Sequence, residues 1–115
     1  METILFAEDE AGFRYLTERI LVRAGYHLIV AKDGHEAVES ARSHDGEIHM
    51  LVTNVIMPRM DGIELSRIMR KERPDIRVLF VTSGEHREFS LLRKPFTGEE
   101  LLAKIREILD SPMAD

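Results

Sequence analysis

The sequence predicts an α/β fold, in which a doubly wound parallel sheet of five strands is covered by helices on both faces. Short apolar runs alternate along the chain with segments whose apolar residues recur at helical spacing. The runs are apolar throughout, which is typical of strands buried on both faces. The 115 residues, 43% of them hydrophobic, are enough for one domain with a single core. We place this domain at residues 1–111 and expect residues 112–115 to be a frayed tail.

Two units of a strand and a helix open the chain. Residues 4–7 form an apolar run, acidic residues 8–10 follow, and apolar residues at helical spacing continue as far as Gly25. Residues 28–31 repeat the strand signal. Asp33, with Glu36 three residues later, predicts the start of a second helix that runs to about residue 43.

A third unit follows, and then the pattern becomes irregular. Residues 50–53 predict the third strand, Asp61 and Glu64 predict a helix start, and Pro74 marks the end of that helix. Residues 77–82 predict the fourth strand. Only residues 83–93 remain for a loop, a fourth helix and a fifth strand around Leu91. This segment is short for the crossover connection that parallel strands require. We therefore expect the fourth helix to be short or missing.

The last helix is predicted from a capping box. Thr97 is followed three residues later by Glu100, and apolar residues then recur at helical spacing to Leu109.

Charge and composition exclude several function classes. A formal net charge of -5 disfavours direct binding to nucleic acid or to an anionic membrane. No cysteine is present, which excludes disulfides, thiolate catalysis and cysteine-based zinc sites. The longest apolar runs are far too short to span a membrane, and no signal-peptide pattern precedes the first strand. We expect a soluble, cytoplasmic protein.

Polar side chains stand where the predicted strands end. Glu8 and Asp9 follow the first strand, Asn54 comes directly after the third, Thr82 ends the fourth and Lys94 follows the fifth. The carboxyl ends of parallel strands meet at one edge of the sheet, where ligands bind in such folds. Two carboxylates can hold a hard dication, while a hydroxyl and an ammonium group can receive phosphoryl oxygens. The edge therefore predicts a site for Mg²⁺ and a phosphoryl group.

This set of residues, together with Met57-Pro58, Asp61-Gly62 and Lys94-Pro95-Phe96, resembles the receiver domain of bacterial two-component response regulators. The resemblance is to the chemotaxis-regulator-like type and covers essentially the whole chain. It implies a flavodoxin-like sheet of order 2-1-3-4-5. It also implies a non-enzymatic module that is phosphorylated on an aspartate of the third strand, with Mg²⁺, by a histidine kinase or phosphotransfer protein. A downstream protein target would then receive the signal.

By position, the resemblance assigns metal-binding roles to four residues. Asp9 would be a direct ligand and Glu8 a ligand through water, while Asn54 occupies the phosphoacceptor position and the backbone carbonyl of Ile56 completes the set. A neutral amide cannot form the acyl phosphate that a carboxylate forms. The chain is thus predicted not to be phosphorylated at Asn54, and the loss of one negative charge is expected to weaken Mg²⁺ binding.

The resemblance also assigns phosphoryl-binding roles. Thr82 would contact the phosphoryl group, and the Lys94 ammonium would pair with it. The Lys94-Pro95 peptide bond is expected to be cis. The aromatic switch position of the family holds Leu91, and Phe89 is the nearest possible substitute.

Asn54 has two possible origins, which the sequence leaves open. The missing switch aromatic and the short fourth segment favour a natural pseudo-receiver. The intact acid pair, Thr82 and Lys94 favour a recent or engineered replacement of aspartate by asparagine. The chain could be a stand-alone regulator or a receiver excised from a larger protein such as a hybrid kinase.

Other functions compete with this interpretation. A phosphorylation-independent interaction module with a vestigial pocket is the main alternative. An aspartyl-phosphate hydrolase would lack its nucleophile, and a flavodoxin-like cofactor binder would meet acids where a phosphate loop is needed. Taken alone, Glu8, Asp9 and Glu10 could merely favour the start of the first helix, and Lys94 could be a solvated charge.

Overall fold

A computed structural model of the chain describes residues 1–82 and 91–112. The strands are β1 (Thr3–Ala7), β2 (His27–Ala31), β3 (Met50–Asn54), β4 (Arg77–Thr82) and β5 (Leu91–Arg93). The helices within these ranges are α1 (Ala11–Arg23), α2 (Gly34–Ser43), α3 (Gly62–Glu72) and α4 (Gly98–Asp110). All strand pairs are parallel, and their order is β2-β1-β3-β4-β5. The predicted fold class and strand order are confirmed.

The sheet separates two apolar layers, because successive side chains of a strand point to opposite faces. One layer joins Leu5 and Leu51 to the buried residues of α2 and α3. The other joins Phe6 and Val52 to Leu21 of α1 and to the buried residues of α4. This is the doubly wound arrangement, in which both faces of the sheet are covered.

The helix starts that were predicted from the sequence have the expected hydrogen bonds. The Asp33 carboxylate accepts from the backbone N–H of Glu36 at 2.8 Å, and the Asp61 carboxylate accepts from that of Glu64 at 2.8 Å. Thr97 begins α4 with a complete capping box. Each interaction satisfies backbone donors that a helix leaves unpaired in its first turn.

The end of the domain is tied back to the sheet. The carbonyl of Ser111 accepts from the Arg77 guanidinium at 2.6 Å, and the Ser111 hydroxyl donates to the carbonyl of Glu107 at 2.7 Å. The predicted short or missing fourth helix and the alternative aromatic Phe89 fall on residues 83–90, which lie outside the described residues. Residues 113–115 of the predicted tail lie outside them as well. Within the described ranges, no helix is both long enough and apolar enough to cross a membrane.

Candidate functional site

A cleft of about 150 Å³ lies at the carboxyl edge of the sheet. Its lining contains every residue that the sequence analysis assigned to the site, namely Glu8, Asp9, Asn54, Ile56, Thr82 and Lys94. The sheet order brings them together, because β1 and β4 flank β3 and β5 flanks β4. The expectation that these side chains meet at one edge therefore agrees with the structure, whereas their chemical roles stay predictions.

The backbone holds the end of β3 closely against the start of α3. The N–H of Gly62 donates to the carbonyl of Val55 at 2.8 Å, and the N–H of Val55 donates to the carbonyl of Val81 at 3.2 Å. A Cβ on Gly62 would run into the backbone carbonyl of Asn54. Only glycine permits this approach, so Gly62 helps to fix the position of Asn54 in the cleft.

Asn54 connects the two acids of the cleft. Its carboxamide nitrogen donates to Oε2 of Glu8 at 2.6 Å and to Oδ1 of Asp9 at 2.9 Å. Glu8 is only 1% exposed and Asn54 only 6%, whereas Asp9 lies at the surface. A buried carboxylate is costly unless donors surround it, and the carboxamide supplies one of them.

Lys94 lies on the other side of Glu8. Its ammonium nitrogen is 3.1 Å from Oε1 of Glu8 and 4.1 Å from the centre of the Phe13 ring. Phe13 in turn meets Phe96 edge to face, with ring centres 5.4 Å apart. The Lys94-Pro95 peptide bond is cis, as the resemblance implied. Lys94 is therefore a partner of the buried acid rather than a solvated charge.

The acidic run 8–10 divides between two roles. Glu8 and Asp9 belong to the cleft, whereas the side chain of Glu10 accepts from the backbone N–H groups of Gly12 and Phe13 and begins α1. The simpler interpretation of these acids as helix-starting residues is thus correct for Glu10, although Glu10 also lines the cleft.

Two residues that contact the site were missed by the sequence analysis. Phe13 is one of the apolar residues at helical spacing that predicted the first helix, yet its ring faces the Lys94 ammonium. The guanidinium of Arg14 donates to the backbone carbonyl of Glu8 at 2.9 Å. Their position one turn after the acidic run is the only sequence signal that could have indicated them.

The remaining predicted residues line the cleft in different ways. Thr82 is 6% exposed, and its backbone carbonyl accepts from the N–H of Lys94 at 2.8 Å. Ile56 lines the cleft and is 78% exposed. Leu91, which the resemblance places at the family's aromatic position, is half-buried and packs against the layer formed with α2 and α3.

The donor set bears directly on metal binding. Carboxylate, amide and backbone carbonyl oxygens are the ligands that Mg²⁺ prefers, and Glu8, Asp9, Asn54 and Ile56 can supply them. The residues fit such an ion if the Asn54 carboxamide turns its oxygen toward the acids. In residues 1–82 and 91–112, no cluster of three or more histidine or acidic side chains is arranged to hold a metal. Any ion here would keep several water ligands.

A family model described as the response regulator receiver domain matches residues 4–106. The chain belongs to this family. It is therefore a receiver domain of two-component systems, a class that interacts with histidine kinases and phosphotransfer proteins and that generally binds Mg²⁺.

Among curated relatives, this receiver domain is 34% identical to the response regulator receiver protein CpdR of Brucella abortus (strain 2308). The match covers 95% of this chain and 98% of CpdR. It is also 35% identical to the sensor kinase CckA of the same strain, over 94% of this chain but only 12% of the kinase. The chain thus corresponds to nearly all of one relative and to a small part of the other.

The similar solved structures also include receiver domains and response regulators. The crystal structure of the receiver domain of the hybrid histidine kinase CckA matches with a TM-score of 0.85 and 33% identity, covering 94% of this chain and 99% of that one. The response regulator TrrA of Thermotoga maritima, solved in complex with Mg²⁺ and BeF, matches with a TM-score of 0.81 and 27% identity. That match covers 94% of this chain and 99% of TrrA.

Proposed function

We propose that this receiver domain has a blocked phosphoacceptor position and acts by binding other proteins rather than by accepting a phosphoryl group. The observation that carries the proposal is the neutral side chain of Asn54 at the end of β3, in one cleft with Glu8, Asp9 and Lys94. An acyl phosphate forms when a charged carboxylate oxygen attacks phosphorus. A carboxamide oxygen has no such charge, so the side chain of Asn54 does not accept a phosphoryl group.

The proposed partners are a histidine kinase or phosphotransfer protein and a downstream protein target in the cytoplasm. The similarity to CpdR and to a portion of CckA supports partners of these classes. The domain itself has no enzymatic role in this proposal and binds neither nucleic acid nor membrane directly. Without phosphorylation, only differential binding by a partner can shift the domain between conformations.

Mg²⁺ remains the expected cation, with its affinity weakened so far that 10 mM Mg²⁺ leaves the wild-type site empty. Glu8 and Asp9 would hold it together with the side-chain amide oxygen of Asn54 and the backbone carbonyl of Ile56. The Mg²⁺ complex of the similar protein TrrA supports the choice of ion. The ion supplies positive charge that offsets phosphoryl oxygens when they are present. Around it, Thr82 would donate its hydroxyl and Lys94 its ammonium to those oxygens.

The experiment is phosphoryl uptake from a small acyl phosphate with Mg²⁺, followed by intact mass. The wild-type chain and Asn54→Asp are compared, with Asn54→Ala as the control for uptake at other positions. We expect one added phosphoryl group on Asn54→Asp and none on the other two. Uptake by the wild type that Asn54→Ala abolishes would refute the blocked acceptor.

A second candidate is a protein-interaction module whose pocket is vestigial. The replacement of the family's switch aromatic by Leu91, which packs into the apolar layer, favours it. In that case Asn54→Asp also stays unmodified, because restoring the carboxylate does not restore the rest of the pocket. The mass experiment therefore separates the two candidates.

A further inference from the structure

The carboxamide of Asn54 uses both of its hydrogens on the acid pair. An asparagine side chain has two N–H hydrogens, and the nitrogen of Asn54 lies 2.6 Å from a Glu8 oxygen and 2.9 Å from an Asp9 oxygen. The amide is thus oriented with its donors toward the carboxylates. A bound cation would require the opposite orientation, because only the amide oxygen can be a ligand.

Glu8 is surrounded by donors on both of its oxygens. Oε2 accepts from the Asn54 carboxamide and from the backbone N–H of Glu10 at 3.0 Å, and Oε1 faces the Lys94 ammonium at 3.1 Å. Within the described residues, no buried side-chain nitrogen or oxygen lacks a hydrogen-bond partner. The buried acid is therefore compensated by the chain's own groups.

An aspartate at position 54 would reverse this balance. It would bring a third carboxylate against Glu8 and Asp9 and would remove both N–H donors. Three neighbouring carboxylates repel one another, and a cation is what relieves that repulsion. Asparagine needs no such ion.

We propose that the Asn54 carboxamide takes the place of a bound cation, cross-linking Glu8 and Asp9 so that the pocket is held together without Mg²⁺. This inference rests on the proposed function only in taking Mg²⁺ as the ion of the parent site. An entering ion must first displace two hydrogen bonds of the amide. The arrangement of the pocket is consequently independent of the Mg²⁺ concentration.

The sequence offers a direct spectroscopic probe of this cross-link. Asn54 is its only asparagine, and it contains no glutamine. A ¹H–¹⁵N correlation spectrum therefore has a single carboxamide NH₂ pair, which belongs to Asn54. We expect this pair to be shifted from free-carboxamide values, protected from solvent exchange, and unmoved by 10 mM Mg²⁺.

Thermal unfolding in EDTA and in 10 mM Mg²⁺, at matched ionic strength, supplies the second measurement. The wild type is expected to give the same Tm in both. Asn54→Asp is expected to have a lower Tm than the wild type in EDTA and to gain about 5 °C or more with Mg²⁺. Ser43→Asp, which adds the same charge at the exposed last residue of α2, should show no Mg²⁺ response.

Asn54→Ala removes the donors without adding a charge, and its Tm in EDTA should also fall below that of the wild type. If Asn54→Asp does not fold, the Tm of Asn54→Ala still tests the cross-link. A wild-type Tm that rises with Mg²⁺, or an NH₂ pair that moves with Mg²⁺ or exchanges like a free amide, would overturn the cross-link. Phosphoryl uptake is read separately by mass, so failure of the proposed function is distinguishable from failure of this inference.

Discussion

The two edges of the sheet use charged side chains in opposite ways. At the carboxyl edge, Glu8 is 1% exposed and is compensated by Asn54 and Lys94 in a cleft. At the amino edge, the side chain of Arg106 is 45% exposed and pairs with Glu2 and Asp110. Burial separates the two cases, since water screens an exposed pair but not a buried one.

Arg73 stands between these extremes. It lies just after α3 at the amino edge, and its guanidinium donates to the carbonyls of Ala41, His44 and Gly46 at 2.8–3.1 Å. These carbonyls belong to the end of α2 and the loop that follows it. The contact joins two helix ends by hydrogen bonds rather than by pairing with an acid, so salt should affect it little.

The largest effect is expected for Glu8→Ala. The change removes one acceptor from the Asn54 amide and the acceptor of the Lys94 ammonium and the Glu10 N–H, and breaking such a buried pair costs several kcal/mol. Because Lys94 keeps some contact with water, we expect a loss of about 3 kcal/mol in the free energy of unfolding in urea. Glu39→Ala, at an exposed position of α2, is the control and should change it little. Equal effects of the two substitutions would remove the contrast between a buried and an exposed charge.

Arg73→Ala should have the next largest effect. Three backbone carbonyls lose a charged donor, for which we expect a loss of about 2 kcal/mol. Arg73→Lys should recover only part of it, because an ammonium cannot reproduce the planar fork of a guanidinium. The exposed Arg67→Ala on α3 is the matched control in the same urea titration. A loss for Arg73→Ala that depends strongly on salt would contradict the assignment.

Asp33→Ala is expected to cost about 1 kcal/mol at neutral pH, because the start of α2 loses its cap. The hydrogen bond from the Glu36 N–H, followed by the charge of Arg59, lowers the pKa of Asp33 below its ordinary value of 3.8. A lowered pKa in the folded state means that the carboxylate stabilises the fold above pH 3.8 and that this contribution is lost as the pH falls further. The difference between wild type and Asp33→Ala should therefore shrink in acid. Asp33→Asn keeps the cap without the charge, and a pH-independent difference for Asp33→Ala would show that the charge does not matter.

Arg106→Ala should have the smallest effect. Arg106 lowers the pKa of Glu2, but the pair is exposed, and such pairs contribute little. We expect a change in Tm close to the error of the measurement, and none in about 0.5 M NaCl, where the charges are screened. A clear loss that persists in high salt would place Arg106 in the same class as Arg73.

Much of the fold was predictable because its signals are local. The starts of α2, α3 and α4 follow from Asp33, Asp61 and Thr97, whose side chains bond to backbone groups three residues away. The strands follow from short apolar runs, and β4 has the predicted limits. β3 extends one residue beyond its prediction and includes Asn54, since the backbone stays paired with β4 up to Val81.

The membership of the site was also predictable, because parallel strands bring their carboxyl ends to one edge. The contacts within it were not. Phe13 faces Lys94 across 81 positions of sequence, and Arg73 reaches carbonyls that precede it by 27 to 32 positions. Such pairings depend on how the helices pack on the sheet, and no local sequence pattern predicts that packing.

The sequence by itself determined the succession of strands and helices along the chain, the helix caps, and the neutral residue at the end of β3. Each of these depends on neighbours along the chain. The tertiary structure alone decided the orientation of that residue's side chain. The Asn54 carboxamide directs its nitrogen to Glu8 and Asp9, 46 and 45 positions away, and Lys94 reaches Glu8 from the far end of the chain. An amide can present either a donor or an acceptor, and only the charges that folding places around it determine which.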